Sequence, residues 1–373
     1  MRSQTLLFKL NICILGLILL VLFINFRVPA QGEQVPRPVA TPLLQDVPLP
    51  KSVTLCGEKI PIEHRHVMEM FDRELTISAM NRAQVSMWLK RAGRYFPGIE
   101  RALAKADLPD DLKYLAVAES NLIYYIRSPK GAVGIWQFMA STARRYGLRK
   151  SRMLDERHDV GRATEAAVLH LKELKEMFGT WFLALAAYNC GEDLIEREIE
   201  EQQVNDYFRL NLPIETERFV FRISAIKTIF ENPGRYGYNL SPERMYDPID
   251  YESVKVNIGS PLHVTQVAHA VDTDFKTIKE LNTHILGHYL PTGKYTLNVP
   301  LGRGAEMADI LKQLTLKAQR KKKKRSPRYT FVKQGDTLNL ISRRTGIPVA
   351  TLRKLNEIEG SLIIAGQRLR LTP

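Results

Sequence analysis

The stretch AVAESNLIYYIRSPKGAVGIWQF, residues 116–138, places one carboxylate, Glu119, among apolar residues and follows it with a turn spaced by glycines. Upstream, Leu108-Pro109-Asp110-Asp111 predicts the start of a helix. On that helix Glu119 lies seven residues after Leu112 and therefore on the same face. The apolar residues between them predict that this face packs against the core. The sequence therefore predicts a carboxylate that is shielded from water.

Shielding of Glu119 has a chemical consequence. Desolvation disfavours the anion and the C-terminal end of the helix dipole repels it, so both effects raise the pKa of the side chain. A carboxylic acid that keeps its proton near neutral pH can protonate the leaving oxygen of a glycosidic bond. The alternative is a structural glutamate, bonded to a backbone N–H group or to an arginine such as Arg127. The helix alone leaves both interpretations open.

The residues that follow could complete a site around Glu119. Residues 128–134, SPKGAVG, predict a tight turn, in which glycine permits positive φ or a close approach to the backbone. Residues 135–139 are expected to begin a helix, with the Trp136 indole and the Gln137 amide facing the same cavity. The other interpretation of Trp136 is a core aromatic residue.

A second candidate segment is the apolar helix predicted over residues 181–191, which ends in Tyr188-Asn189 before a glycine cap. A tyrosine ring offers a stacking face and an asparagine amide both donates and accepts, which suits a sugar with an N-acetyl group. Taken singly, Tyr188 is better explained as a core aromatic residue and Asn189 as a helix terminator.

Composition restricts the class of protein. The chain has 373 residues, enough for two or three domains, and a formal net charge of +14, which favours an anionic partner. A nucleic acid is disfavoured, because the basic residues concentrate in one linker without interleaved aromatic residues and because the apolar segment near the N-terminus, described below, is expected to be an export leader. Outside this leader Cys56 and Cys190 either pair or remain two thiols, and no ligand cluster predicts a metal or other cofactor.

The domain organisation follows from shifts in composition. Arg2 and Lys9 precede an apolar run from Leu10 to Phe26, and Val28-Pro29-Ala30 suits signal cleavage. A helical pattern then extends from about Ile62 to Phe230, with breaks expected at Pro97-Gly98 and at later glycines. The predicted divisions are a signal peptide or membrane anchor (1–30), a proline-rich linker (31–52), a helical domain (53–245), a first small module (246–302), a basic linker (303–327) and a second small module (328–373).

The two small modules are predicted from an internal repeat. Residues 263–282 align without a gap on residues 337–356, so that Asn282 matches Asn356. Each copy shows two short helical patterns flanked by strand-like pieces, which predicts a βααβ unit. The expected fold class is therefore mainly α, a helical domain followed by two βααβ modules.

In combination these motifs resemble a known family, the membrane-bound lytic murein transglycosylases of the D type, which join a lysozyme-like soluble lytic transglycosylase domain to C-terminal LysM modules. The motifs are Glu119-Ser120, then residues 128–139, then Ala187-Tyr188-Asn189 before Gly191, then Leu212-Pro213 with Glu215-Thr216. The resemblance covers the chain from about residue 60 onward. It implies non-hydrolytic cleavage of the β-1,4 bond between N-acetylmuramic acid and N-acetylglucosamine in peptidoglycan, leaving a 1,6-anhydro end.

The resemblance also implies roles for individual residues. Glu119 would be the single catalytic acid and then base, which fits assistance by the substrate's own acetamide. Substrate would be bound by Ser128, Gly134, Gln137, Tyr188 and Asn189, with Ser120, Trp136 and Phe219 in support. Phe219 stands where the family usually has tyrosine, so a hydroxyl that helps to orient the carboxylate is missing, and Cys190 replaces a small alanine.

The second module resembles a LysM unit, which binds glycans that contain N-acetylglucosamine, through Gly335, Asp336, Thr337 and Asn356. The first module is a degenerate copy, since it has Ser260-Pro261-Leu262 in place of the Gly-Asp-Thr turn.

The expected partner is the peptidoglycan glycan strand. The expected location is the periplasm, with attachment to the inner membrane if the leader is retained. Two alternatives stay open: a hydrolytic muramidase on the same fold, and a catalytically inactive peptidoglycan-binding protein.

Overall fold

The computed structural model describes residues 46–305, Met307, Ile310, Gln313 and residues 328–372. The predicted leader, most of the proline-rich linker and most of the basic linker lie outside these residues. Within them, no helix has both the length and the apolar character needed to cross a bilayer.

A helical domain begins with a two-stranded antiparallel hairpin, β1 (Val53–Leu55) and β2 (Glu58–Ile60), in which Val53 pairs with Ile60. Eight named helices follow, some directly consecutive and others separated by long connections, of which residues 121–139 form the longest. They are α1 (Arg65–Met80), α2 (Arg82–Lys105), α3 (Lys113–Ser120), α4 (Ala140–Arg145), α5 (Val160–Phe178), α6 (Trp181–Cys190), α7 (Glu192–Gln202) and α8 (Ile214–Glu231).

Helix α6 lies at the centre of this domain. Its residues are apolar on every side, so it can be stable only when it is covered all round. Helices α5, α7 and α8 pack against it, and residues 181–187 are buried. Thr180 caps the first turn and Gly191, with φ of 95°, ends the helix. The polar residues of α6, Tyr188 and Asn189, therefore emerge at its C-terminal end.

The break expected at Pro97-Gly98 is wrong, because α2 continues through Pro97 to Lys105. Proline removes one backbone donor and crowds the preceding turn, which destabilises an isolated helix. Here the buried stripe of α2 continues on both sides of the proline, with Phe96 and Ile99 in the main core. Tertiary packing therefore outweighs the local preference.

Module 1 (residues 252–299) and module 2 (residues 329–370) have related folds. Their elements are β3 (Glu252–Ile258), β4 (Leu262–His263), α9 (Val264–Ala270), α10 (Phe275–Leu281), β5 (Tyr289–Leu290), β6 (Gly293–Val299), β7 (Tyr329–Phe331), α11 (Leu338–Thr345), α12 (Val349–Asn356) and β8 (Arg368–Arg370). In module 1 the long antiparallel pair β3 and β6 flanks a short pair, β4 and β5, and two helices; in module 2, β7 pairs with β8 around two helices. The expected mainly α class is confirmed.

Module 1 contacts the helical domain through residues 149–159, here called the bridge segment, which connects α4 to α5. Leu154 of this segment pairs with Ile285 of module 1 in an isolated β-bridge and is buried in the hydrophobic core of that module. The bridge segment therefore belongs to both parts of the structure.

Candidate active site

A cavity of about 760 Å³ opens between α3, the turn at residues 128–139, the end of α6 and the start of α8. It brings together six of the residues predicted from the sequence, which are Glu119, Ser128, Gln137, Tyr188, Asn189 and Phe219. Three others, Ser120, Gly134 and Trp136, are buried and are not among the residues that line it.

Glu119 lies in the last turn of α3 and is partly buried at the wall of the cavity. No hydrogen bond or ion pair to its carboxyl group is formed within the described part of the chain, and Arg127 is exposed. The structural alternative, a glutamate bonded to a backbone N–H group or to Arg127, is therefore wrong. The carboxyl group faces a space that a ligand can enter.

Burial raises the pKa of the Glu119 carboxyl from 4.5 to about 8; the positive charge of Arg222 lowers it and the negative charge of Glu215 raises it. Desolvation has the largest effect on this pKa, and no hydrogen bond within the described residues offsets it by stabilising the anion. The group is therefore mainly protonated at neutral pH, as a general acid has to be.

The end of α3 is held by its neighbours. The Ser120 hydroxyl donates to the carbonyl of Ile135 at 2.8 Å, which joins the helix to the turn. Asn121 follows in the left-handed region, with φ of 55°, and its Oδ1 accepts from the Trp88 indole at 2.7 Å. Ser120 therefore positions the backbone next to Glu119 and does not reach the cavity.

Residues 135–139 do not begin a helix, contrary to the prediction; α4 starts at Ala140. The N–H groups of Val133 and Phe138 each donate to the carbonyl of the other at 3.1 Å, which closes a tight loop. Gly134 and Gln137 have φ of 85° and 47°, and positive φ at both positions is incompatible with a right-handed helix. The sequence does not reveal this conformation because Gln137 is not a glycine.

The Trp136 indole does not face the cavity. Its ring is fully buried, and Nε1 donates to the Thr164 hydroxyl at 2.9 Å. The carbonyl of Trp136 instead accepts a hydrogen bond from the Tyr188 hydroxyl at 2.8 Å. Trp136 therefore acts on the cavity indirectly, by fixing the tyrosine.

Gly134 does not provide space for a ligand either. A Cβ atom at this position would lie 2.0 Å from the carbonyl oxygen of Arg157, so the space beside the glycine is filled by protein backbone. The glycine is required for the close approach of two backbone segments and for its positive φ. The expectation that Gly134 leaves room for substrate is wrong on this geometry.

Ser128 and Gln137 line the cavity from the turn. Ser128 Oγ accepts from the Ala132 N–H at 3.0 Å, and Gln137 Nε2 donates to the Gly134 carbonyl at 2.8 Å. Each side chain is thus oriented by the loop backbone, and the Gln137 Oε1 atom remains as an acceptor.

The opposite wall is formed by the end of α6 and by α8. Asn189 Oδ1 accepts from the Thr216 hydroxyl at 2.9 Å, which leaves the amide nitrogen as a donor. Burial raises the pKa of Tyr188 well above its usual value, so its hydroxyl stays protonated. Phe219 is buried and presents a ring without a hydroxyl. This wall supplies one amide and two aromatic rings.

The charged residues of the cavity that were not predicted as site residues include two on α8. Glu215, Phe219 and Arg222 all line the cavity from α8, at i, i+4 and i+7, and this helical spacing could have found them. Arg222 also forms an ion pair with buried Glu74, at 3.5 Å between Nε and Oε2. Glu119 is therefore not the only carboxylate in the cavity.

The thiols are not paired in the described residues. Cys56 is buried and Cys190, which lines the cavity, donates to the Ala186 carbonyl at 3.2 Å. Burial raises the pKa of Cys190 to about 11, so it is a thiol and not a thiolate at neutral pH. No group of metal-ligating side chains lies in the described ranges.

In module 2 the predicted glycan-binding residues form structural contacts. Asp336 forms a two-point ion pair with Arg344, at 3.0 and 2.7 Å, and Thr337 caps α11. Gly335 has φ of 82°, as the preceding turn requires.

Asn356 is fully engaged with the backbone. Its Nδ2 donates to the carbonyls of Leu352 and Arg370 and its Oδ1 accepts from the Arg370 N–H. Asn282 makes the corresponding three bonds in module 1. We conclude that Asn356 closes the fold of the module, with both Nδ2 hydrogens bonded to the backbone, and its role in glycan binding stays a prediction.

Comparison with known proteins identifies two domains. Residues 97–211 match the Transglycosylase SLT domain and residues 331–372 match the LysM domain. Membrane-bound lytic murein transglycosylase D of Escherichia coli (strain K12) is 32% identical over 297 residues, which cover 75% of this chain and 64% of that protein. The chain thus spans less than two thirds of the length of this relative.

Two further proteins share parts of the chain. The putative tributyltin chloride resistance protein of Alteromonas sp. (strain M-1) is 34% identical over 115 residues, 30% of this chain and 56% of that protein. The 70 kDa soluble lytic transglycosylase of Escherichia coli superposes with a TM-score of 0.33 at 19% identity, over 42% of this chain and 27% of that chain.

The resemblance predicted from the motifs is confirmed by the sequence matches. The chain contains a transglycosylase SLT domain and, near its C-terminus, a LysM domain.

Proposed function

We propose that the protein is a peptidoglycan lytic transglycosylase, which cleaves the β-1,4 bond between N-acetylmuramic acid and N-acetylglucosamine without water. The observation that carries the proposal is the Glu119 carboxyl group, with its pKa raised to about 8 and no bonded partner in the described residues, at the wall of the cavity. The SLT domain match and the name of the Escherichia coli relative support the reaction class.

In the proposed reaction Glu119 donates its proton to the leaving oxygen as the bond to the muramyl anomeric carbon breaks. The resulting carboxylate then accepts the proton of the muramyl C6 hydroxyl, whose oxygen bonds to the anomeric carbon. Glu119 is thereby reprotonated, and no water is consumed. The substrate acetamide stabilises the positive charge between the two steps.

The cavity offers contacts for such a glycan. The Asn189 amide nitrogen and the Gln137 carbonyl oxygen are a donor and an acceptor at different positions in the wall, and the Tyr188 and Phe219 rings offer apolar surface to a sugar. These contacts, together with Ser128, are proposed to bind the saccharide units on either side of the scissile bond.

The second candidate is hydrolysis, which is favoured by one observation, the presence of Glu215 in the same cavity. A second carboxylate could activate a water molecule, as in inverting glycosidases. Glu215 is exposed and lies in the first turn of α8, where its charge is stabilised by the helix dipole. We propose that it acts on Glu119 only through its charge.

Mass spectrometry of fragments released from purified peptidoglycan distinguishes these reactions. The proposal expects fragments with anhydromuramyl ends, each lighter by one water than a hydrolytic product. The Glu119→Gln variant should release none, whereas Glu215→Gln should still release anhydro ends. Reducing muramic ends from the wild type would refute the transglycosylase reaction, and cleavage by Glu119→Gln would refute the assignment of the acid.

We further propose that module 2 binds the glycan strand and that the protein is exported to the periplasm, attached to the inner membrane if its N-terminal segment is retained. The LysM match and the membrane-bound relative support this proposal. Fractionation of cells and extraction with carbonate test the location, and recovery in the cytosol would contradict it. Sedimentation with peptidoglycan should be retained by Glu119→Gln, and its loss would contradict independent binding by the module.

A further inference from the structure

The bridge segment is fastened to module 1 by backbone hydrogen bonds. The Asp155 N–H donates to the carbonyl of His284 and the Leu286 N–H donates to the carbonyl of Met153, both at 2.9 Å. Leu154, which lies between Met153 and Asp155 in the sequence, is buried in the core of module 1. The contact therefore combines paired backbone with shared apolar packing, and a module that was only tethered would not need it.

Side chains add to this contact. The Thr283 hydroxyl donates to the carbonyl of His158 at 2.6 Å. The Arg149 guanidinium donates to the carbonyl of Lys294 at 2.9 Å and lies over the Tyr295 ring, 4.7 Å from its centroid. Both ends of the bridge segment are thus held by module 1.

The opposite side of the bridge segment holds the cavity turn. Arg157 is 1% exposed, and Asp155 accepts from its guanidinium at 2.9 and 2.7 Å. The same guanidinium donates to the carbonyls of Gly131 and Phe138, at 3.0 and 2.9 Å. Its own carbonyl lies against Gly134. One buried side chain therefore fixes the two ends of the loop that carries Gln137.

Asp155 connects the two halves of this arrangement. Its N–H group bonds to module 1 and its carboxylate bonds to Arg157. A buried ion pair costs desolvation energy and is seldom the most stable solution for a core, so geometry is the better reason for its presence. The Arg157 guanidinium makes four bonds, two to the carboxylate and two to carbonyls, whereas a lysine ammonium has three donors and lacks the planar fork.

We propose that module 1 is a brace for the catalytic cavity, acting through the bridge segment, with Arg157 as the positioning residue that holds the turn at residues 128–139. The inference rests on the proposed function, because the turn supplies Ser128 and Gln137 to the substrate. Module 1 would then be retained for the rigidity of the site, without any need to bind glycan itself.

Hydrogen exchange in the full chain tests the brace without reference to activity. Thr283→Val removes one hydrogen bond across the contact, and Thr345→Val is the matched control, because its hydroxyl bonds to the Ile341 carbonyl inside module 2. In Thr283→Val the amides of Val133 and Phe138 should exchange about fivefold faster, equivalent to about 1 kcal/mol. The amides of α6 should be unchanged in both variants.

Unchanged exchange at Val133 and Phe138 in Thr283→Val would overturn the brace, as would an equal acceleration throughout α6, which indicates general destabilisation. Arg157→Lys gives the second measurement. It should accelerate exchange at both amides and raise KM for soluble uncrosslinked glycan strands about tenfold, with little change in kcat or its pH profile. An unchanged KM would overturn the positioning role of Arg157. If the wild type fails to cleave, the proposed function fails, while the exchange experiment still decides the brace.

Discussion

Replacing Glu119 by glutamine should stabilise the helical domain at neutral and alkaline pH while it removes the acid. The carboxyl group has a pKa of about 8 in the folded protein, against 4.5 for the free side chain, and burial is the main cause. The folded state therefore binds more protons than the unfolded state between these two values. In this window the stability of the wild type falls as the pH rises.

The magnitude follows from the same two pKa values. The ionisable carboxyl group costs the wild type about 1 kcal/mol at pH 5, about 3 kcal/mol at pH 7 and nearly 5 kcal/mol above pH 8. Glutamine is neutral throughout and avoids this cost. The difference in unfolding free energy between Glu119→Gln and the wild type should therefore grow by about 3 to 4 kcal/mol from pH 5 to pH 9. Any effect of the amide on stability that does not depend on pH leaves this increase unchanged.

Urea unfolding followed by tryptophan fluorescence measures this difference. All three tryptophans, Trp88, Trp136 and Trp181, are buried in the helical domain, so the signal reports that domain. Glu176→Gln, at an exposed position on α5, is the control and should show no comparable trend. A difference for Glu119→Gln that stays constant between pH 5 and pH 9 would refute the reasoning, because the carboxyl group would then have an ordinary pKa.

Three further changes test separate parts of the structure. Gly134→Ala should cost about 3 kcal/mol in urea unfolding, since the new methyl group meets the Arg157 carbonyl and φ is positive. Asn356→Ala should accelerate hydrogen exchange in β8 at least tenfold, because it removes the bonds to both backbone groups of Arg370. Phe219→Tyr should raise the cleavage rate up to about tenfold, if the added hydroxyl bonds to the catalytic carboxylate.

Each of these has an outcome that contradicts it. Wild-type stability of Gly134→Ala would mean that the turn and the bridge segment can separate at little cost. Wild-type exchange in Asn356→Ala would show that its bonds to Arg370 do not hold β8 in place. A slower Phe219→Tyr would show that the cavity is shaped around the smaller ring.

The position of Glu119 could be predicted from the sequence because the information is local. Ala116, three residues earlier on α3, and Leu112, in the helical turn that leads into α3, are both buried, so the helical period alone turns the carboxylate inward. The raised pKa follows from that placement. The same helical spacing places Arg222 on the cavity side of α8, although Arg222 was not predicted as a site residue.

The tight turn over residues 128–134 was predicted, but the non-helical conformation of residues 135–139 could not be, because it depends on a distant residue. The Arg157 guanidinium donates to the carbonyls of Gly131 and Phe138, and the Arg157 backbone fills the space beside Gly134. Nothing within the loop sequence identifies this partner. A glycine in such a motif is therefore read equally well as space for a ligand or as space for the protein's own backbone.

The two modules separate fold from ligand recognition. The positions that the copies share are those on which the fold depends: Asn282 and Asn356 make the same three backbone bonds, and His263 and Thr337 cap corresponding helices. A residue that both copies share is thus explained by its part in the fold, without reference to a ligand. Affinity for glycan, if only module 2 has it, has to come from positions at which the copies differ. The alignment of Asn282 on Asn356 therefore reflects the clamp that closes both modules.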